Sequence, residues 1–133
     1  MKIIHIVLNL DIGGLENLVC EMARIQSHKN EIIVCSLEPE NISNRVVKNN
    51  GFKIIHLHRR QGKDFRLLFE LTRLLKREKP DVVHTHNGAP FIYAALARFF
   101  ARAPLLINTR HGEEILHKPG FLWNKYDYIV AIS

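Results

Sequence analysis

The chain has 133 residues, and 19 Lys and Arg against 13 Asp and Glu give a formal charge of +6, with 47% of residues hydrophobic. A chain of this length buries roughly two thirds of its unfolded surface, and its ordinary composition excludes a disordered, collagenous or disulfide-stapled protein. Cys20 and Cys35 lie in apolar segments with no CxxC or histidine spacing for a metal, so both read as reduced core thiols; the longest apolar run, Ala94 to Ala101, is too short to cross a bilayer.

Met1-Lys2 leads straight into Ile3 to Leu8, and with no small-residue cleavage site behind it this run reads as a first strand. The loop Asn9 to Glu16 follows, with Gly13-Gly14 opening a helix. Leu15, Leu18, Val19, Met22 and Ile25 form the inner stripe of that helix, and Glu16, Glu21 and Arg24 lie outside it. A second strand spans Glu31 to Ser36. A short helix is expected over Asn41 to Asn50, stopped by Asn50-Gly51, and a third strand over Lys53 to Leu57. The clearest helix has Asp64 as its cap, Leu67, Leu68, Leu71, Leu74 and Leu75 as its inner face, Arg66, Glu70, Arg73 and Arg77 outside, and Pro80 as its stop. Strand four covers Val82 to His84, and a helix from Pro90 to Ala101 is apolar almost all round, so it should be buried. Strands at Leu105 to Asn108 and Tyr128 to Ile132 complete the pattern. The last one ends at Ser133 with no polar tail, which reads as a buried strand and a fragment of a longer protein.

Strands alternating with helices predict an α/β fold, a doubly wound, mostly parallel sheet with helices on both faces, as one domain over residues 1–133. Continuous apolar strands belong to a sheet covered on both sides. In such sheets ligands bind beyond the carboxyl ends of the strands, which directs attention to three loops. Gly13-Gly14 lets the backbone turn tightly and present N–H groups at a helix N-terminus, a seat for an anion; the plain alternative is a tight turn with Glu16 on the helix dipole. The spacing is neither G-x-G-x-x-G nor a P-loop. His84-Thr85-His86-Asn87-Gly88 follows strand four. Its two histidines are read as facing opposite sides of the sheet, one interior and one toward the cleft, so no shared metal is expected. Thr109-Arg110-His111-Gly112-Glu113-Glu114 follows strand five, where an imidazole is well placed to hydrogen-bond a polar ligand and the two carboxylates read as solvated. No Gly-x-Ser-x-Gly elbow and no Cys beside a His supports nucleophilic hydrolysis.

Gly13-Gly14-Leu15-Glu16, His84-Thr85-His86-Asn87, Arg110-His111-Gly112 and the closing Tyr128 to Ser133, in this order and spacing, resemble the N-terminal half of GT-B-fold glycosyltransferases of family 4. The resemblance implies a Rossmann-like domain and a retaining, metal-independent transfer of a sugar from a nucleotide-sugar to a glycan or lipid-linked acceptor. It needs no cofactor beyond that donor. By the same resemblance, Gly13 and Gly14 would face the donor diphosphate and His111 the transferred sugar, as the catalytic-site residue. Asp11, His86 and Asn87 would line the acceptor side. The C-terminal domain that grips the nucleotide in that family has no counterpart in this sequence, so the chain alone is expected to be inactive.

The charge raises three partners. No helix-turn-helix, zinc-finger or aromatic RNP pattern favours nucleic acid. Basic clusters at Arg59-Arg60, at Arg66, Arg73, Lys76, Arg77 and Lys79, and at Arg98 and Arg102 suit an anionic membrane surface. The expected location is the cytoplasm, peripheral on the membrane face, while Phe99-Phe100 read as core. Two alternatives are a flavodoxin-like module that holds a phosphate, a sugar or a partner protein, and the nucleotide-sugar 2-epimerase branch, whose usual Arg-Pro-Glu after the first strand is not found here.

Overall fold

A computed structural model describes residues 1–11, 13–40, 51–101, 105–111 and 120–132. The expected helix over 41–50 and the residues Ile12, Arg102, Gly112, Glu113, Glu114 and Ser133 lie outside the described residues. The elements are β1 (Lys2–Val7), α1 (Gly14–Gln26), β2 (Glu31–Ser36), β3 (Lys53–His56), α2 (Phe65–Glu78), β4 (Val82–His86), α3 (Gly88–Phe100), β5 (Leu105–His111), a 3-10 turn (Gly120–Lys125) and β6 (Tyr128–Ile132).

The strands form one six-stranded sheet in the order β3-β2-β1-β4-β5-β6, and every pairing is parallel. The order reverses between β1 and β4, and this crevice is where doubly wound sheets bind ligands. It is also not the flavodoxin order, in which strand two is outermost. The flavodoxin topology of that alternative is therefore excluded.

Each face of the sheet has its own core. On one side Ile3, Val7, Ile32 and Val34 pack with Val19 and Ala23 of α1. On the other, Ile4, Ile6, Val83 and Leu106 pack with Leu67, Leu71, Leu75 and Phe91 of α2 and α3. Full burial of a leucine such as Leu67 or Leu71 contributes about 1.5–3 kcal/mol. Asp64 caps α2 as its sequence predicts, accepting from the Leu67 N–H at 3.0 Å and from Arg60 N–H at 2.7 Å.

Several expectations need correction. β4 and β5 run on to His86 and His111, because Thr85, Asn108 and Thr109 find partners inside the ladder: Asn108 Nδ2 donates to Thr85 Oγ1 at 2.8 Å, and His84 Nε2 meets Thr109 Oγ1 at 2.7 Å. Leu18 and Ile25 are exposed, since they lie seven residues apart on one flank of the Val19–Ala23 stripe. Phe99 and Phe100 are exposed too; Ala97 and Ala101 take the buried positions of that turn, and Lys125 Nζ sits 4.4 Å from the Phe99 ring centre. β6 is exposed along its whole length rather than buried, as the outermost strand of the sheet. Its position is held by Asp127, whose carboxylate accepts from Leu106 N–H at 2.7 Å and pairs with Arg98 at 2.8 Å. Cys35 is buried and its thiol is pushed up to about 12 by desolvation, while Cys20 is half-buried; both are free. Among the described residues no helix is long and apolar enough to cross a membrane.

Candidate functional site

Because all strands are parallel, Asp11, Gly13 and Gly14 after β1, His86 and Asn87 at the end of β4, and His111 at the end of β5 share one edge of the sheet. β1 and β4 flank the switch point directly.

The β4 loop is built around Asn87, whose φ of 59° is a left-handed value that favours glycine. Two hydrogen bonds hold it there. Asn87 N–H donates to Thr109 O at 3.1 Å, and Asn87 Oδ1 accepts from His111 N–H at 2.9 Å. A backbone in such a region costs on the order of 1–3 kcal/mol and clusters at ligand sites. Here it ties the end of β4 to the end of β5.

Residues two apart in a strand share a face. The expectation that His84 and His86 diverge is therefore wrong, and their ring centres lie 4.3 Å apart. His5, paired in register with His84, adds a third imidazole on the α1 side. A continuous line of contacts results: Gln26 Oε1 to His5 Nε2 at 2.8 Å, His5 Nδ1 to His86 Nε2 at 3.2 Å, and His86 Nδ1 to His111 Nε2 at 3.3 Å. His5 and His86 in its middle are fully buried, and Gln26 and His111 at its two ends are half-buried.

Burial disfavours the charged ring. It lowers His5 and His111, and together with the neighbouring histidines it takes His84 to about 4 and His86 to about 2. All four are neutral at pH 7. Ring nitrogens of His5, His84 and His86 also lie within 4.8 Å of one another, the only such metal-ligand grouping among the described residues. Three neutral imidazoles are a zinc-type donor set, but hydrogen bonds among the rings and to Gln26 and Thr109 already account for the packing.

At the glycine loop, Gly13 caps α1 with extended backbone and no side-chain bond, and Asn17 N–H returns to Gly13 O at 3.1 Å. A Cβ at Gly13 would run into the Glu16 carboxylate, whereas one at Gly14 meets nothing. Glu16 thus folds back over the helix start and complements its dipole. Asp11 lies between, its N–H within 3.4 Å of Asn9 Oδ1.

The structure brings His86, Asn87 and His111 into contact and places the glycines on the neighbouring strand end. His86 faces other histidines rather than the open edge. His5, Gln26 and Thr109 were not singled out in sequence; the two-residue period of His84 and His86, carried across to β1, is the signal that finds His5.

Residues 12–133 match Glycosyltransferase Family 4. Over 50 residues the chain is 42% identical to the UDP-Gal:alpha-D-GlcNAc-diphosphoundecaprenol alpha-1,3-galactosyltransferase of Escherichia coli, covering 38% of this chain and 13% of that enzyme. Among solved structures it resembles a glycosyltransferase from Rickettsia africae ESF-5 (TM-score 0.75, 21% identity, 99% of this chain and 36% of that one). It also resembles the lipopolysaccharide outer core galactosyltransferase WaaB (0.75, 17%, 97% and 38%). The chain therefore spans well under half the length of these relatives, and the structural likenesses carry the fold, a GT-B-type half. With the family match covering nearly the whole chain, the protein belongs to glycosyltransferase family 4.

Proposed function

We propose that residues 1–133 form the acceptor-side domain of a retaining glycosyltransferase, one that moves a sugar from a nucleotide-sugar to a glycan or lipid-linked acceptor without a metal. In that reaction the bond from the anomeric carbon to the diphosphate breaks and a bond to the acceptor oxygen forms. The acceptor gives up its hydroxyl proton, and the nucleoside diphosphate leaves. The observation that carries the reading is the neutral His111 ring, held half-buried at the switch-point edge by His86 on its side chain and Asn87 on its backbone. Such a ring is suited to hydrogen-bond sugar hydroxyls, and a preorganised partner of this kind costs little to align during reaction.

Gly13 and Gly14 supply close backbone approach for the donor diphosphate, with the Glu16 carboxylate swinging aside as the anion arrives. Asp11 lies on the acceptor side of the same loop, and His86 and Asn87 serve that side by fixing His111. Nucleotide binding belongs to a second domain of the same enzyme, without which this domain is inactive. Titrating the purified chain with UDP- and GDP-sugars by calorimetry should give no strong binding; tight nucleotide binding by this domain alone would contradict the division of labour.

The lipid side of the reading rests on a groove of about 390 Å³ between α2 and α3, lined by Leu68, Ile92, Tyr93 and Leu96 with Arg59 and Lys63 at its mouth. Phe65 and Phe69, 77% and 66% exposed, stand on the same helix. Aromatic rings among cations suit peripheral contact with an anionic membrane, here at its cytoplasmic face.

A further inference from the structure

Four side chains that no functional role has yet explained as a set run from the last turn of α1 to the open edge of the sheet: Gln26, His5, His86 and His111. Three consecutive contacts of 2.8, 3.2 and 3.3 Å join them, and each uses one defined ring nitrogen. A neutral imidazole has one donor and one acceptor nitrogen, so every contact between two rings needs opposite roles at its ends. The roles are therefore coupled along the whole line. Gln26 is the group that breaks the symmetry, since its amide oxygen only accepts.

We propose that Gln26, through His5 and His86, fixes the tautomer of His111. Gln26 Oε1 requires the proton of His5 on Nε2, which leaves His5 Nδ1 as an acceptor. His86 must then donate from Nε2 and accept at Nδ1, and His111 must donate from Nε2. What remains at the site is the lone pair on His111 Nδ1, an acceptor for a ligand hydroxyl. The backbone that carries Gln26 is held at the end of α1, where its carbonyl accepts from Lys29 N–H at 3.1 Å and Asn30 N–H at 3.0 Å, and its side-chain Oε1 is turned to His5. His84 is packed against the same rings but bonds Thr109 at 2.7 Å, outside the chain. Gln26, His5 and His86 are thus positioning residues that select whether the site offers a hydroxyl an acceptor or a donor. Outer partners that set the tautomer of a working imidazole are a general device.

The proposal rests on the reading of His111 as the sugar-facing group, but the tautomer is measured without any sugar, so the two can fail separately. The experiment is long-range ¹⁵N–¹H correlation of the imidazole rings in the protein at pH 7.5. Expected for His5, His86 and His111 is a pyrrole-type Nε2 and a pyridine-type Nδ1. His5→Phe cuts the chain but removes a fully buried polar ring. Gln26→Met is the gentler break, because it keeps side-chain length at a half-buried position. In Gln26→Met the Nδ1 and Nε2 resonances of His5, His86 and His111 should move toward each other as both tautomers become populated, while His84, which bonds Thr109, keeps the separation of its two nitrogen resonances as the internal control. Nδ1–H on His111 in the unmodified protein would overturn the assignment, as would a Gln26→Met spectrum that keeps the original pattern. A joint shift of the His5, His84 and His86 nitrogens on adding one equivalent of Zn²⁺ would overturn it in favour of a metal site.

Discussion

Charging a buried imidazole forfeits its hydration, and the consequence at His84 and His86 is a stability that depends on pH. Both titrate near 6.5 when unfolded and far lower when folded, chiefly through desolvation and then through the rings of His5, His84 and His111 around them. The unfolded chain therefore binds more protons below pH 6.5. The stability these rings permit is complete above 6.5 and is lost as pH falls, by up to about 1.4 kcal/mol per pH unit for each ring. Urea midpoints should drop steeply between pH 7 and 5, and His86→Phe should flatten that slope. An equal slope in the variant would remove His86 from the account. Glu78 acts later: burial alone would raise it, but Arg77, Lys53 and Lys2 hold it down to about 2, so its contribution fades only below about pH 4.5.

Glu16 offers a second test at this scale. Its carboxylate covers the helix start where an incoming diphosphate would sit. On the proposed function, Glu16→Gln in a glycosyltransferase that contains this domain should lower the donor KM about two- to fivefold, the equivalent of roughly 0.4–1 kcal/mol of repulsion at a helix N-terminus. A KM that stays level or rises in steady-state kinetics would argue against an anion there.

At the level of elements, α2 shows what periodicity can convey. Asp64 caps it, four of the five leucines assigned to its inner face are fully sheltered with Leu68 half-buried, and Arg66 pairs with Glu70 at 2.9 Å on the outside. Leu71→Ala should cost about 2–5 kcal/mol in chemical denaturation, the range for cavities in a close-packed core. The helix ends at Lys79 with φ 47° before Pro80, a left-handed cap that a side chain resists. Lys79→Gly should therefore stabilise by about 0.5–1 kcal/mol.

Other elements were less legible, for identifiable reasons. The apolar pattern of β4 stops at Val83 and that of β5 at Ile107, yet both strands continue because their polar side chains pair with one another across the ladder, which no single run of residues reveals. The candidate site was legible as three loops at one edge of the sheet. It was not legible as a line of rings, because His5 lies in a run that reads as pure core and Gln26 at the end of a helix, and only the β1–β4 register joins them. Leu18, Ile25 and the phenylalanines of α3 misled in the opposite sense: apolar character does not say which flank of a helix meets a neighbour.

At the scale of the molecule, the strand order places the charge. The α2–α3 groove, with Arg59 and Lys63 of the loop before α2 at its mouth, belongs to the helix layer on one face of the sheet, whereas the histidine line occupies the other face. Sedimentation with anionic vesicles should pellet the chain, and substituting Phe65 and Phe69 by Ser should return it to the supernatant. Equal recovery from anionic and neutral vesicles would end the membrane reading.

β6 has one further consequence. Tyr128-Ile129-Val130-Ala131-Ile132 is exposed, uncharged, free of proline and rich in β-branched residues, and among the described residues nothing pairs with its outer edge. A strand with those properties is a template for adding another strand. Handled at high concentration, the chain should self-associate along this edge into extended β-assemblies, and a lysine in place of Val130 should suppress that growth without disturbing the interior.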